Sequence, residues 1–125
     1  MSLERLYGFT LILLILHQID AAYWKEWEMF YLPGGIQGFL LFNLVAFPII
    51  VVGYKKLLTL SSNYLAYSYA CGGLGLLTFI IHAGFAMFGF EEFHLPLSIA
   101  VIVLCGVFGV WQLILTKQSA SRKAP

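Results

Sequence analysis

Two histidines and an aspartate have the side chains and the spacing that a metal site requires. His17 and Asp20 are three residues apart, so on one helix their side chains project from the same face. Such a pair can supply two ligands to one ion, or a carboxylate that orients a ligating imidazole. His82 lies in a later apolar stretch and could join them. Imidazole nitrogen together with carboxylate oxygen suits zinc, iron or manganese better than a soft metal.

A seven-residue segment that carries further carboxylates occurs twice in the chain. WEMFYLP at residues 27–33 is echoed by FEEFHLP at residues 90–96, and the overlay places Glu28 on Glu91. An internal repeat bears on the architecture of the whole chain. We therefore predict that the protein is a duplication of one helical hairpin. The candidate repeats are residues 3–56 and 64–117.

Each copy of this segment follows an apolar run that carries one histidine. His17 precedes Glu28 by eleven residues, and His82 precedes Glu91 by nine. The chain must turn inward after each run if the glutamates are to approach the histidines. The complete set of candidate metal ligands is His17, Asp20, His82, Glu28 and Glu91.

The composition indicates that these residues are positioned by membrane-spanning helices. The chain of 125 residues is 61% hydrophobic and 10% charged, with a mean hydropathy of +0.88, which is too apolar for a water-soluble domain of this size. A helix crosses the hydrocarbon with about 20 apolar residues. We predict an all-α polytopic membrane protein, a single domain over residues 1–125 with a polar tail at 117–125. The four predicted transmembrane helices are residues 3–22, 34–54, 64–89 and 95–116.

The first apolar run also has the outline of a signal peptide, because Arg5 precedes it and Ala21 and Ala22 follow it. A small residue is expected three positions before a cleavage site, whereas Ile19 or Asp20 would occupy that position. We therefore favour a membrane-spanning helix.

The distribution of basic residues predicts the orientation of the helices. Six lysines and arginines fall at the N-terminus, the middle connection and the tail, and one falls on the other side, which predicts that both termini are cytoplasmic. The first and third spans would then run parallel. A net charge of +1 without a basic patch argues against a nucleic-acid partner. The six basic residues are Arg5, Lys55, Lys56, Lys117, Arg122 and Lys123.

A short signature follows the first histidine. The segment HQIDA at residues 17–21 is followed by Glu26 and Trp27. This pattern resembles that of small bacterial four-helix integral-membrane proteins, a family of unknown function. The resemblance implies a bacterial inner-membrane location and transfers no activity. Many related sequences have glutamate where this chain has Gln18.

These observations predict a metal site in the outer half of the helix bundle. A bound ion could activate water for hydrolysis or support redox chemistry on a lipid-soluble substrate. Neither Cys71 nor Cys105 lies in a nucleophile motif, and both are predicted to be small core residues. A shared ion requires the nitrogens of His17 and His82 to approach within about 4 to 5 Å.

Other functions could use the same residues. A neutral His82 could hydrogen-bond a neighbouring helix without any metal. A histidine near an aspartate can relay protons, which would suit a proton-coupled or small-solute transporter that acts as a homo-oligomer. Haem held by His17 and His82 would require a wide bundle, so we do not favour it. The polar residues could also form an interface with a partner in a larger membrane complex, so the sequence leaves open whether the protein is an enzyme.

Overall fold

The structure is a computed structural model that describes residues 1–122. The last three residues of the predicted polar tail, 123–125, lie outside the described residues, and Lys123 is one of them. The described chain is helical and contains no β-strand. Its helices are α1 (Leu3–Tyr23), α2 (Glu26–Met29), α3 (Gly35–Leu58), α4 (Tyr64–Met87) and α5 (Pro96–Ser121).

Four of these helices, α1, α3, α4 and α5, are long and apolar enough to cross a membrane. The predicted all-α fold with four such helices is thereby confirmed. The boundaries differ most at two C-terminal ends: α3 continues to Leu58, beyond the predicted residue 54, and α5 continues to Ser121, where the sequence predicts a polar tail from residue 117. Lysine, glutamine and alanine after Thr116 are good helix formers in water, so the helix need not end with its apolar run.

The bundle is arranged around α1 and α4, which run parallel. Thr10 lies beside Gly75, and His17 lies beside His82, so residue numbers rise together along the two helices. Both α1 and α4 contact α3 on one side and α5 on the other, whereas α3 and α5 do not contact each other within the described part of the chain. Side chains of α1 and α4 therefore meet at the centre of the bundle.

Polar side chains clamp α4 to α5 at one end of the bundle, which we call the lower end. Gln112 Nε2 donates to the carbonyl of Ser68 at 3.0 Å, and the hydroxyls of Ser68 and Thr116 lie 2.8 Å apart. Further along, glycines let the two backbones approach, since a Cβ on Gly109 would lie 2.7 Å from the carbonyl oxygen of Gly72. The opposite, upper end carries α2 and the connection formed by residues 88–95.

The chain crosses the upper end in two different ways. After α1, Lys25 adopts a left-handed conformation with φ of 53°, and α2 begins at the next residue. After α4, residues 88–95 form turns without a helix, and Phe93 has φ of 62°. The second connection ends at Pro96, whose fixed φ suits the first turn of α5. The two segments of the predicted repeat therefore differ locally, and the duplication stays a prediction.

Candidate metal centre

The two sequence-predicted histidines meet near the upper end of the bundle. The Nε2 atoms of His17 on α1 and His82 on α4 are 3.3 Å apart. Both side chains are buried, and the two residues are 2% and 6% exposed. They meet because α1 and α4 run parallel and each carries its histidine five or six residues before its last residue. The separation is within the range that ligation of one ion requires.

Glu26 supplies a third donor atom to this pair. Its Oε1 lies 3.1 Å from Nε2 of His82 and 3.7 Å from Nε2 of His17. Glu26 is the first residue of α2, and the left-handed turn at Lys25 directs α2 across the upper end, so the carboxylate points down between the helices. Within residues 1–122, His17, Glu26 and His82 are the group whose donor atoms could share one metal ion.

The triangle formed by the three donor atoms has the dimensions of a tetrahedral metal site. Its edges are 3.1, 3.3 and 3.7 Å. With metal-ligand distances of about 2.0 to 2.1 Å, tetrahedral geometry separates ligand atoms by about 3.3 Å. The point equidistant from the three atoms lies about 2.0 Å from each, so a zinc-sized ion could bind just above the triangle. Three protein ligands would leave a fourth position open.

Glu26 is held in the ionised form that a metal ligand must have. Burial of its carboxyl opposes ionisation, but hydrogen bonds to His17 and His82 and the charge of these imidazoles together outweigh burial. The pKa of Glu26 is thereby lowered from 4.5 to about 2. A carboxylate is therefore present at any physiological pH.

Phe93 holds both imidazole rings from the second connection. Its ring centroid lies 4.3 Å from that of His82 and 5.8 Å from that of His17. The left-handed backbone at Phe93 turns its side chain into the bundle, where it is buried. Nδ1 of His17 is buried without a hydrogen-bond partner in the described residues. Packing against Phe93 therefore orients this ring, in place of the second hydrogen bond that most metal-ligating histidines make.

A cavity of about 280 Å³ adjoins the three clustered residues. Apart from the cluster, its polar lining residues are Gln18 and Thr78, and the rest of its wall is apolar. Phe42 on α3 and Leu77 on α4 line this cavity and are also exposed on the side of the bundle. The cavity therefore opens sideways between α3 and α4. Its lining is His17, Gln18, Glu26, Trp27, Phe30, Leu32, Phe39, Phe42, Leu74, Leu77, Thr78, Ile81 and His82.

The structure places the other three predicted ligands outside the cluster. Asp20 accepts a hydrogen bond from Trp24 Nε1 at 3.1 Å, since residue 24 lies one turn further along and captures the carboxylate. Glu28 is exposed, because two residues on a helix are about 200° apart and Glu26 already faces inward. Glu91 is also exposed, in the turn that directs Phe93 inward. Glu26 and Phe93, rather than Glu28 and Glu91, therefore contact the two histidines.

Glu26 is not among the sequence-predicted ligands, although the sequence contains a signal for it. It belongs to the Glu26–Trp27 pair of the short signature that follows His17. Trp27 packs on Phe39 of α3 with ring centroids 5.5 Å apart, which anchors α2 over the end of the bundle. Glu26 thus supplies an oxygen atom to the cluster, and Trp27 supplies the contact that holds α2 in place.

Fold and site together define a class: a small helical protein with four potential membrane spans and a buried cluster of two histidines and one glutamate. The chain belongs to the family of unknown function DUF6713, whose profile matches residues 3–119. This match covers the three clustered residues and confirms the resemblance to an uncharacterised family. Comparison with curated proteins and with solved structures gives no match.

Proposed function

We propose that this protein binds a divalent transition metal ion through Nε2 of His17, Nε2 of His82 and Oε1 of Glu26. The observation that supports this most strongly is the convergence of three buried donor atoms, from three helices, at the ligand-ligand distances of a tetrahedral site. Two imidazoles and a carboxylate favour zinc, iron(II) or manganese. Phe93 packs against both imidazoles and so orients them for binding.

The same ligand set suits catalysis in the membrane. Two histidines and one carboxylate with an open position occur in hydrolytic zinc sites and in non-haem iron oxygenases. All three ligands line one cavity, so the open position would face that cavity. A bound ion would supply Lewis acidity or redox capacity there. We therefore propose a metal-dependent enzyme, with the choice between hydrolysis and redox chemistry set by the identity of the metal.

We further propose that the four apolar helices lie in a bacterial inner membrane with both termini in the cytoplasm. The distribution of lysine and arginine supports this orientation, because cytoplasmic ends of membrane helices are enriched in these residues. Among the described residues, Lys25 lies at the upper end, and all other lysines and arginines lie toward the lower end. The metal centre would then lie near the outer surface. Reporter fusions at the C-terminus test this: a reporter active only in the cytoplasm should be active, and one active only outside should not.

Metal content of the purified protein tests the metal centre. After reconstitution with zinc, iron(II) or manganese, wild type should retain about one ion per chain, and His17→Ala and His82→Ala should each retain far less. His94→Ala is the matched control, because His94 is exposed outside the cluster. Wild type that retains none of the three metals, or a control that loses metal as the other variants do, would contradict the proposal.

Proton transfer is a second candidate function, because the same atoms are within hydrogen-bonding distance without an ion. Nε2 of His82 lies 3.1 Å from Glu26 Oε1 and 3.3 Å from Nε2 of His17, which would allow a proton to move among the three groups. A transporter of this kind would act as an oligomer and would need no metal. Metal-free protein that mediates proton flux in vesicles, and loses it in Glu26→Gln, would favour this alternative.

A further inference from the structure

We infer that the cavity beside the metal centre binds a single-chain amphiphile that enters from the membrane between α3 and α4. The headgroup would coordinate the ion with an oxygen atom, and the hydrocarbon chain would pass out through the side of the bundle. This inference rests on the proposed metal centre and adds the class of substrate and its route of access.

The polarity of the cavity divides along its length in the way such a ligand requires. His17, Glu26 and His82 line it near the upper end of the bundle, and Phe42, Leu74 and Leu77 line the part further down, where Thr78 is the one polar side chain. A ligand with polar groups at both ends would leave one of them against hydrocarbon side chains, which is unfavourable. The volume of about 280 Å³ lies at the lower limit for small-molecule sites, so one chain fits and a two-chain lipid does not.

The position of the opening explains why the ligand would come from the membrane. Leu74 and Leu77 lie about 12 and 7.5 Å below His82 along α4, at a rise of about 1.5 Å per residue. Both are exposed on the side of the bundle, and so is Phe42 opposite them on α3. Helices of this hydropathy face hydrocarbon at that depth. A ligand that reaches the metal centre through this opening is therefore drawn from the lipid phase.

Gln18 adds a requirement on the headgroup. This residue also lines the cavity, and its side-chain oxygen is buried without a hydrogen-bond partner in the described residues. A buried acceptor is usually paired, so a donor on the ligand would be favourable here. A headgroup with a coordinating oxygen and an adjacent N–H or O–H fits both the ion and Gln18. Hydroxamic acids have both groups and serve as probes.

The experiment compares octanohydroxamate with acetohydroxamate on cobalt-loaded protein in lipid nanodiscs. Binding is followed by the visible absorption of the cobalt ion. Leu77→Trp enlarges a side chain on the apolar wall, and Leu104→Trp is its matched control, because Leu104 on α5 is similarly exposed, 41% against 49%, but does not line the cavity. Partition of the long probe into lipid is the same for all variants, so differences between variants report on the cavity.

We expect Leu77→Trp to weaken octanohydroxamate binding by at least about tenfold, because the larger side chain would overlap the hydrocarbon chain of the probe and the free-energy cost of such overpacking corresponds to about this loss of affinity. Binding of acetohydroxamate and of cobalt should not change. Leu104→Trp should behave as wild type. Leu74→Phe, a smaller change on the same wall, should give the same selective loss if Leu77→Trp does not fold. Equal binding of the long probe in all variants, or equal loss of both probes, would overturn the inference. Wild type that binds no cobalt would instead overturn the metal centre, before any hydroxamate is added.

Discussion

Nε2 of His17 lies 3.3 Å from Nε2 of His82, although the two histidines are 65 residues apart and belong to different helices. Two neutral imidazoles can share one hydrogen bond at this distance, with one nitrogen donating and the other accepting, but a second acceptor, Glu26 Oε1, also faces both nitrogens. One cation at the centre of the three atoms would satisfy all of them at once.

The carboxylate of Glu26 should matter for metal binding and that of Glu28 should not. Both belong to α2, but Glu26 is 6% exposed and faces the histidines, whereas Glu28 faces outward. Glu26→Gln should weaken zinc binding by at least about 100-fold, beyond the effect of most residues that only orient a ligand. Competition with a chromophoric chelator measures the affinity. Equal effects of Glu26→Gln and Glu28→Gln would show that Glu26 is not a ligand.

Phe93 should act as a positioning residue for both imidazoles. Phe93→Ala removes a buried ring in contact with His17 and His82, so it should lower metal affinity by about tenfold or more and alter the cobalt spectrum. Phe93→Leu keeps much of the bulk and should restore most of the affinity. Phe90→Ala, at an exposed position of the same connection, is the control. A cobalt spectrum unchanged in Phe93→Ala would contradict this role.

Metal-free protein should lose stability in acid through Glu26. Its pKa is about 2 in the folded protein and 4.5 without its partners, so the unfolded chain binds more protons between these values and stability falls as pH falls. The stabilisation is fully present above about pH 4.5 and is lost as the pH approaches about 2. Unfolding in detergent should therefore show a smaller difference between wild type and Glu26→Gln at about pH 3 than at about pH 5.5. A stability difference between wild type and Glu26→Gln that does not change with pH would contradict the role of the Glu26 carboxylate.

The clamp at the lower end should be independent of the metal centre. Gln112→Leu removes the hydrogen bond to Ser68 and should destabilise the protein by about 1 kcal/mol, the usual size of such bonds between membrane helices. Zinc affinity should not change, because Gln112 lies far from the histidines along the bundle. Reduced zinc affinity in Gln112→Leu, with the fold intact by circular dichroism, would show that the two ends are coupled.

The fold was predictable because membrane helices are specified by length and hydropathy alone, and the backbone has few alternatives in hydrocarbon. His17 and His82 could be paired for the same reason, since equal depth on parallel helices follows from the order of the spans. Helix depth alone does not show which nearby carboxylate would join the two histidines as a ligand. Asp20 has suitable spacing from His17, but Trp24 holds its carboxylate.

The choice between Glu26 and Glu28 depended on one backbone angle. Sequence spacing fitted Glu28, because it aligns with Glu91 in the repeated segment. The left-handed turn at Lys25 sets the rotation of α2 and brings Glu26 inward instead. The position of Phe93 also depends on one backbone angle, because its positive φ directs its ring to the histidines. Non-glycine residues rarely adopt a positive φ, so the local sequence does not predict this conformation at Lys25 or at Phe93.

X-ray absorption at the zinc edge of the zinc-loaded protein tests the central claim most directly. The three-ligand site predicts four-coordinate zinc with nitrogen and oxygen at about 2.0 to 2.1 Å and the scattering of two imidazoles. Glu26→Gln should change this spectrum and Glu28→Gln should not. Sulfur at about 2.3 Å, a shell without imidazole, or protein that retains no zinc would contradict a metal centre at His17, Glu26 and His82.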